Sequence, residues 1–447
     1  MATSAGGQLD RGQMRRVLFA STVGTAIEWY DYFAYGTVGA LVFPKLFFPK
    51  QDATAGILDV FAIFFLGFLA RPVGAVIFGH FGDRIGRKAT LIATLTLTGL
   101  GTALMGVLPG HDAIGVAAPL LLVIFRIAQG IGVGGEWGGS VTLTLEHGAH
   151  GRRGWLTSWP QSGGAIGLIM STLVVVVMQA VAPGDAFLAW GWRVPFLVSV
   201  VLIGLGLWVR LGIFETPVFR NLIEQGLRHK QPLAEVIRRN WREICLSAVL
   251  RLPEQAPFYV FTVFVFTFGG FVKVGRPVLL WGVVVAGVLD LCLVLLSGHL
   301  SDTLGRKRVM IAGAAVTGIW GFIYFALFST GVSSIAFIAI ALSLVPHAFI
   351  YGPQGAFIAE SFTGSLRMSG ASVGYQLASI IAGGPAPLIA TAIWAATHNG
   401  FFIGLYILGC SVFGIVAMVL LEDRSKQDIT VEYDEGAPAP APQVSSS

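Results

Sequence analysis

Long apolar runs dominate the chain and predict its secondary structure. The runs are about 20 residues long, the length that an α-helix needs to cross the ~30 Å hydrocarbon core of a bilayer. Short polar stretches separate them, so the pattern predicts an all-α polytopic membrane protein with twelve spanning helices. We number these spans 1 to 12, and in order they are predicted at 17–43, 56–78, 89–109, 116–145, 155–182, 191–213, 244–269, 277–299, 309–329, 333–358, 369–396 and 399–421.

Composition supports a membrane protein. Of the 447 residues, 55% are hydrophobic and only 12% are charged, whereas a soluble globular chain carries about twice that charged fraction. The three cysteines fall in or beside apolar runs, with neither a disulfide framework nor a metal-ligand spacing. The first apolar run is too long for a cleavable signal peptide, and no small-residue cleavage pattern follows it, so we expect an uncleaved first span.

The distribution of lysine and arginine predicts the orientation. If the amino terminus is inside, the inner segments hold 20 of the 29 basic residues and the outer segments hold four. This excess is the positive-inside pattern of polytopic proteins. It predicts that both termini are cytoplasmic, and it explains the net charge of +5 without a nucleic-acid partner.

The longest polar connection divides the spans into six and six. The predicted organisation is a cytoplasmic stub at 1–16, a six-helix bundle at 17–213, a cytoplasmic linker at 214–243, a second six-helix bundle at 244–421 and a disordered tail at 422–447. The tail ends in "GAPAPAPQVSSS", a composition without apolar periodicity.

One loop sequence occurs in both halves. "GHFGDRIGRK" at 79–88 returns as "GHLSDTLGRK" at 298–307, with six of ten positions identical. Its glycines permit a tight turn, and its aspartate can accept hydrogen bonds at a helix end. A single copy could be an ordinary positive-inside loop, but two copies predict pseudo-symmetric halves with a cavity between them. The predicted cytoplasmic gate comprises Gly79, Asp83, Arg84, Gly86, Arg87, Glu146 and Arg153 and, in the second half, Asp302, Gly305, Arg306, Glu360 and Arg367.

Two carboxylates interrupt the first span. In "GTAIEWYDYFAYG", Glu28 and Asp31 lie at i and i+3 and share one helix face. A charge near the middle of the bilayer costs several kcal/mol unless it is paired, hydrated or neutralised. We therefore expect the pair to face a central cavity as a proton and substrate station, with Glu28 the better candidate for carrying the proton. The alternative is a structural ion pair with an arginine of another span.

Arg126 lies about 15 Å from the outer end of span 4, at 1.5 Å per residue. Because an arginine cannot be deprotonated, we expect it to bind a carboxylate of Glu28, Asp31 or Glu136, or one on the substrate. A permanent structural pair between spans 1 and 4 is the alternative. Gln129 can add a neutral hydrogen bond one turn on. The stripe Gly130, Gly134 and Gly138 predicts close helix packing.

Other intramembrane polar residues are further candidates. Arg71, in span 2, can extend towards the cytoplasm, which favours a structural role. Arg251 and Glu254 repeat the i, i+3 arrangement in span 7. Asp290 lies within span 8. His347 lies in span 10, and a histidine changes its charge near physiological pH, as a proton carrier must. By span and depth, the expected cavity-lining residues are Trp29, Tyr30, Trp159, Gln161, Tyr259, Tyr351, Gln354, Tyr375 and Gln376, although packing roles are the alternative for each.

"AGGPAP" at 382–387 predicts a break or bend in span 11. A flexible gate and a passive kink both account for such a bend.

The repeated loop resembles the signature loop of the major facilitator superfamily, and "RIAQGIGVGGEWGG" at 126–139 resembles its fourth-span motif. "IEWYDYFAYG", "ARPVGAVIFGHFGDRIGRKATL", "WGWRVPF" and "SGASVGYQLASIIAGG" resemble the metabolite–proton symporter family, whose members include shikimate, α-ketoglutarate, citrate and proline/betaine permeases. The resemblance covers roughly 15–421, and "LRLPEQAPFYVFTVF" is most similar to shikimate-type members. It implies a multi-pass bacterial plasma-membrane protein, a monomer, that transports small molecules.

The expected function is proton-coupled uptake of a small carboxylate-bearing metabolite by alternating access. A zwitterionic osmolyte symporter, a uniporter or a drug exporter of the same fold are the alternatives. A sensor would need an added soluble domain. The sequence contains no P-loop, clustered metal ligands or Ser–His–Asp context, so we expect neither an enzyme nor a cofactor, and an ion gradient as the energy source.

Overall fold

The described part of the chain is a bundle of α-helices. The structure is a computed structural model that describes residues 11–85, 87–134, 137–146, 151–211, 232–362 and 366–427. Within these ranges the secondary structure is helical and contains no strand. The predicted all-α class is therefore confirmed.

The first half contains spans 1 to 6. Span 1 is Arg11–Phe47, span 2 is Ala53–Leu69 with Arg71–Ile85, span 3 is Arg87–Val107, span 4 is Ala117–Val133 with Trp137–Glu146, span 5 is Arg153–Val181, and span 6 is Val194–Leu211. Short helices at His111–Ile114 and Asp185–Ala189 and a 3₁₀ turn at Gly191–Arg193 lie in the connections.

The second half contains spans 7 to 12, preceded by a short helix at Pro232–Arg239. Span 7 consists of three α-helical segments, Trp241–Val249, Leu252–Tyr259 and Val265–Phe271, with a π-helical turn at Val260–Phe264. Span 8 is Arg276–Leu304, span 9 is Arg306–Phe328, and span 10 is Ser333–Leu342 with Val345–Glu360. Span 11 is Arg367–Ala378 and Ala386–Thr397 with a π-helical turn at Ser379–Gly383, and span 12 is Gly400–Leu420.

The helices fit a bilayer. Eight helical stretches of the described residues are long and apolar enough to cross a membrane by length and composition, and Ile92–Val107 and Ala117–Val133 are shorter apolar helices. Span 1, which carries both carboxylates, and the interrupted span 7 complete the twelve. The chain is a multi-pass membrane protein.

Several spans are interrupted near their middle, each beside a proline. Pro72, Pro253, Pro346 and Pro385 lie at or just before the first turn of a new helical segment. Proline lacks an N–H and clashes with the preceding turn, but it is tolerated where a helix begins. The predicted break at 382–387 is confirmed by the π-helical turn and the restart at Ala386. These breaks place irregular backbone at the centre of the protein.

The repeated loop is shorter than its glycines suggested. Gly79 lies inside the helical segment that ends at Ile85, so the expected tight turn does not form there. In the second copy a single residue, Gly305, joins spans 8 and 9, with φ at +95°. That angle is in the left-handed region that favours glycine. The polar residues of the loop therefore belong to helix ends.

Spans 2 and 4 pack backbone against backbone through small residues. A Cβ added at Gly130 would overlap the carbonyl oxygen of Gly67, and one added at Gly134 would overlap that of Arg71. Gly130 and Gly134 therefore act in helix packing, as the small-residue stripe predicted. The contact fixes the position of Arg71 relative to span 4.

The two halves meet at both ends of the bundle. Span 5 runs along spans 1 and 8, and Gly154 packs against the carbonyl oxygen of Gly298 near the end that carries Arg153 and Arg306, which we call the basic face. Towards the opposite face, Gly36 of span 1 packs against Val263 of span 7. The described parts of the two halves therefore touch near both ends, an arrangement that we call the closed conformation, and polar residues between these contacts, such as Arg251 and Gln161, are buried.

Replacing Gly130 with alanine should destabilise the fold, because the added methyl group has no room against span 2. Overpacking of this kind typically costs about 1–3 kcal/mol. We expect Gly130→Ala to lower the thermal unfolding midpoint of the purified protein in detergent.

The matched control is Gly204→Ala in span 6, where an added Cβ meets no atom within 4 Å. Equal unfolding midpoints for the two variants would contradict the packing assignment.

Candidate functional site

The two carboxylates of span 1 face different neighbours. Asp31 is 1% exposed; its Oδ1 accepts a hydrogen bond from the Ser199 hydroxyl, and its backbone oxygen accepts one from Gln129 Nε2 at 3.1 Å. It therefore belongs to a polar network between spans 1, 4 and 6. Glu28 instead interacts electrostatically with Arg71 of span 2. The structure does not bring both carboxylates into one central cavity, because Asp31 bonds to Ser199 of span 6 whereas Glu28 lies on the side of Arg71 in span 2.

A tyrosine lies between two buried arginines at the centre of the first half. The guanidinium carbon of Arg71 is 4.2 Å from the centroid of the Tyr32 ring, and that of Arg126 is 3.9 Å from it. Tyr32 itself is fully buried. Cation–π attraction to one ring offsets part of the repulsion between the two positive charges. We call Arg71, Tyr32 and Arg126 the arginine–tyrosine stack.

Arg126 is held by aromatic rings and an amide. Besides Tyr32, its guanidinium carbon lies 4.3 Å from the Tyr35 ring centroid and 4.7 Å from that of Phe64. It donates hydrogen bonds to Gln129 Oε1 and to the backbone oxygen of Phe64. Among the described residues no carboxylate forms an ion pair with it, and its Nε has no hydrogen-bond partner.

The expected pairing of Arg126 with Glu28 or Asp31 is therefore wrong in this conformation, because both carboxylates are held elsewhere. Glu136, the third predicted partner, lies outside the described residues. A buried cation with no anion is costly, and the aromatic rings compensate only part of that cost. The arrangement is suited to an anion supplied from outside the protein.

Arg71 does not extend towards the basic face. It is 2% exposed, and its guanidinium also lies 4.4 Å from the Phe68 ring centroid. Its electrostatic neighbours include Tyr259 of span 7 and Tyr375 of span 11, so it faces the second half. The extension towards the cytoplasm expected from its sequence position is therefore not observed: the helix break before Pro72 directs Arg71 to the interface of the halves.

The second half contains its own charged cluster. The Nη2 of Arg251 lies 3.0 Å from Oε2 of Glu254, and its Nε donates to Gln354 Oε1 at 3.2 Å. Its Nη1 donates to the backbone oxygen of Tyr375 at 2.7 Å. His347 continues the cluster next to Glu254. The predicted i, i+3 pair is thus a direct salt bridge, and it is anchored to spans 10 and 11.

Side chains from both halves meet beside this cluster. The Trp137 and Tyr375 rings stack with centroids 3.7 Å apart. Trp137 Nε1 donates to Gln161 Oε1 at 2.8 Å, and Gln161 Nε2 donates to the backbone oxygen of Tyr351 at 3.2 Å. Gln376 Nε2 donates to the oxygen of Gly134 at 3.2 Å. Four predicted lining residues therefore lie at the interface: Gln161, Tyr351, Tyr375 and Gln376.

The remaining predicted lining residues divide between the interface and the first half. Tyr259 is buried against the Phe33, Phe64 and Phe68 rings of spans 1 and 2, which places it at the interface. Tyr30 lies outside the interface, because its hydroxyl donates to the backbone oxygen of Pro195 at 2.7 Å within the first half. Trp159 packs edge-on against Trp155, and its backbone oxygen accepts from Thr22.

The basic face carries the described part of the predicted gate. Asp302 Oδ1 and Oδ2 accept hydrogen bonds from the backbone N–H groups of Gly154 and Trp155 at 2.8 and 2.9 Å, at the start of span 5. Arg306 Nη2 lies 2.8 Å from Glu360 Oε1, and Arg153 Nη1 lies 3.5 Å from the same oxygen. The contacts of Asp302 and Arg153 join the two halves, whereas the Arg306–Glu360 pair lies within the second half.

Arg367 lies beside the gate and donates from Nε to the backbone oxygen of Ala359 at 3.2 Å. Gly86 lies outside the described residues, as do the side chains of Asp83, Arg84, Arg87 and Glu146. The first-half copy of the gate is therefore a prediction only.

Sequence reasoning missed Tyr32, Tyr35 and Ser199, and it placed the Arg71 side chain towards the cytoplasm. Tyr32 lies four residues after Glu28, and this i, i+4 spacing could have indicated that it shares the Glu28 face. Ser199 gave no signal, because a serine in an apolar span usually bonds its own backbone. No group of three or more His, Cys, Asp and Glu side chains that could hold a metal occurs in the ranges the structure describes.

Comparison with known proteins places this geometry among transporters. The sequence profile of the family described as Sugar (and other) transporter matches residues 17–243. The chain is 36% identical over 421 residues to the inner membrane metabolite transport protein YhjE of Escherichia coli strain K12, covering 93% of this chain and 95% of YhjE. It is 37% identical over 426 residues to the shikimate transporter of that strain, covering 94% and 97%. The chain is 27% identical over 433 residues to the proline/betaine transporter of the same E. coli strain, covering 94% of this chain and 86% of that transporter.

Solved structures show the same fold. The proton:xylose symporter XylE bound to 6-bromo-6-deoxy-D-glucose has a TM-score of 0.73 at 18% identity, covering 94% of this chain and 98% of that one. The partially occluded inward-open xylose transporter XylE from E. coli has a TM-score of 0.69 at 21% identity, covering 92% and 97%. These identities support the fold and carry no substrate information.

The arginine–tyrosine stack predicts unequal effects of two substitutions at Tyr32. Tyr32→Phe keeps the ring and removes only a hydroxyl that has no hydrogen-bond partner in the structure. Tyr32→Leu removes the ring, worth about 0.5–2 kcal/mol for each guanidinium. We expect Tyr32→Leu to lower the thermal unfolding midpoint clearly and Tyr32→Phe to change it little. The stack is not stabilising if the leucine variant is as stable as the phenylalanine variant.

Proposed function

The chain belongs to the Sugar (and other) transporter family of the major facilitator superfamily, and from this premise we propose that it takes up a small carboxylate-bearing metabolite together with protons. It is a metabolite transporter and not an enzyme. The proposed substrate class is an organic acid such as shikimate or a di- or tricarboxylate. The proposed mechanism is alternating access of a central site to the two faces.

The observation that carries this proposal is the arginine–tyrosine stack. Two guanidinium groups share one ring, and no described carboxylate pairs with Arg126. Arginine offers a planar fork of N–H donors that matches a carboxylate. A substrate carboxylate would neutralise this positive charge, whereas a neutral sugar would leave it uncompensated. The similarity to a shikimate transporter supports the same substrate class.

The coupling ion is proposed to be the proton. Buried titratable side chains occur in both halves, among them Glu28, Asp31 and His347. A uniporter needs no such groups, so they favour coupled transport. We further propose that the protein works as a monomer in a bacterial cytoplasmic membrane without a cofactor, with the basic face and both termini on the cytoplasmic side, in agreement with the positive-inside distribution.

A zwitterionic osmolyte is the second candidate substrate, because aromatic rings such as Tyr32, Tyr259 and Tyr375 also suit a quaternary ammonium. A relative that transports proline and betaine supports it. A thermal-shift screen of purified protein against organic acids and betaines at two pH values separates the candidates. Stabilisation by betaines alone would overturn the organic-acid assignment.

Replacing Arg126 should weaken binding of an anionic substrate. Truncating one partner of a buried charge pair costs about 2–5 kcal/mol, which is roughly thirtyfold or more in affinity. We expect Arg126→Gln to raise the Kd of the best organic acid from that screen by at least this factor, measured by calorimetry on folded protein.

The control is Arg276→Gln, because Arg276 is exposed at the start of span 8 in the second half, whereas the stack is buried in the first half. It removes the same charge and should leave the Kd within about twofold, the usual scale of a surface change. If Arg126→Gln binds the acid as tightly as this control, the carboxylate site lies elsewhere, with Arg251 the next candidate.

Removing the Asp302 carboxylate should open the basic face. Asp302 accepts two backbone hydrogen bonds across the halves, and a bond to a charged group contributes about 1.5–3 kcal/mol. A cysteine at the buried interface position 157, introduced as Thr157→Cys in a cysteine-free background, reports access from that face. We expect Asp302→Ala to raise its labelling by an impermeant maleimide about tenfold or more.

Glu422→Gln provides the comparison, since Glu422 is 62% exposed on the same face. Labelling in Asp302→Ala that merely matches labelling in Glu422→Gln would show that Asp302 does not hold the gate closed.

A further inference from the structure

A histidine lies between two carboxylates inside the second half. The Nδ1 of His347 in span 10 is 2.8 Å from Oδ1 of Asp290 in span 8. Its Nε2 is 3.7 Å from Oε1 of Glu254 in span 7. All three side chains are buried, with at most 4% of each exposed. We call His347 and Asp290 the histidine–aspartate pair.

Glu254 already has a permanent partner. Its Oε2 lies 3.0 Å from Nη2 of Arg251 and accepts a further hydrogen bond from Gln354 Nε2 at 3.4 Å. Arginine keeps its charge at every accessible pH, so Glu254 and Arg251 form a fixed neutral unit. Asp290 has no described partner of opposite charge other than His347.

The groups that face His347 from its neighbouring spans can therefore be counted. Span 7 contributes Glu254, with Arg251 behind it, and the apolar ring of Phe258 at 4.7 Å between centroids. Span 8 contributes Asp290, and span 10, which carries His347 itself, contributes the Tyr351 ring at 5.1 Å between centroids. One positive and two negative charges surround the imidazole, so the cluster is neutral when His347 is protonated and carries one negative charge when it is not.

Because the charge of the cluster changes when His347 is protonated, proton binding to His347 depends on the conformation of the protein. A net charge held away from water is strongly disfavoured, so the closed conformation favours the protonated, neutral cluster. Water that reaches the cluster in an open conformation stabilises the charged form and can accept the proton. By contrast, Glu28 has the positive charge of Arg71 among its electrostatic neighbours, and Asp31 accepts a hydrogen bond from the Ser199 hydroxyl.

The cluster is also mechanically connected to the first half. The Arg251 guanidinium lies 3.4 Å from the centroid of the Tyr375 ring, and that ring stacks on Trp137 of span 4. Separation of the halves must break this stacking. Opening would therefore disturb Arg251, and through it Glu254 and His347.

We propose that the histidine–aspartate pair is the site that carries the coupled proton, with Asp290 essential to it. This inference rests on the proposed proton-coupled function. A hydronium ion at one face gives its proton to the imidazole in the open conformation. In the closed conformation the protonated ring donates from Nδ1 to Asp290 and lies in ion-pair contact with Glu254, and the proton then returns to water at the other face.

The test compares two transport assays in proteoliposomes with the best-binding organic acid. Uphill accumulation driven by a pH difference of one unit requires proton movement and, for one proton per singly charged acid, reaches about tenfold. Counterflow exchange of labelled for unlabelled acid requires no net proton movement. The key variant is Asp290→Asn with His347→Gln, because it removes one negative and one positive charge and leaves the cluster permanently neutral.

We expect the double variant to keep counterflow within about twofold of the natural protein, the scale of a minor perturbation, and to lose accumulation to a ratio near one. The single variant His347→Gln should be impaired in both assays, because it leaves an uncompensated negative charge. The control His398→Asn alters an exposed histidine in the left-handed backbone region that asparagine also tolerates, and it should resemble the natural protein in both assays.

Three other results are informative, and each would contradict one of the proposals. Tenfold accumulation by the double variant would place the proton site elsewhere. Loss of both activities in the double variant would mean that the pair is structural. A natural protein that neither accumulates nor exchanges any organic acid would overturn the proposed function itself, and this proposal with it.

Discussion

The burial of arginine side chains at the centre of the bundle is the constraint on which the rest of the structure depends. A guanidinium group cannot shed its charge, and the hydrocarbon core offers it no water. The protein surrounds Arg71 and Arg126 with aromatic rings and places Tyr32 between them. Span 1 must therefore keep its aromatic face towards spans 2 and 4, and the glycines of span 4 must let span 2 approach closely.

The two halves stabilise their buried arginine side chains in different ways. In the second half Arg251 has a direct carboxylate partner in Glu254, and the charges continue through His347 to Asp290. In the first half, aromatic rings are the main contacts of the Arg71 and Arg126 guanidinium groups, so an anionic ligand can still neutralise this positive charge. The proposed mechanism follows this asymmetry, with anion binding in the first half and proton binding in the second. The stacked Trp137 and Tyr375 rings lie between the two sites, so one conformational change can affect both.

The fold could be predicted because it depends on long apolar runs and on the repeated loop, which are visible along the chain. The Arg251–Glu254 pair was also predictable, since residues three apart on a helix are neighbours. Contacts between spans depend on helix rotation, which one sequence does not specify. Asp290 and His347 therefore could not be paired in advance. The environment of Arg71 was misjudged because the helix break before Pro72 changes the direction of its side chain.

The most direct test of the central claim is an experimental structure of the protein with a bound organic acid. The account predicts the substrate carboxylate within hydrogen-bond distance of the Arg126 or Arg71 guanidinium, beside the Tyr32 ring. A carboxylate bound at Arg251 instead, with the arginine–tyrosine stack unchanged and apart from the ligand, would contradict it.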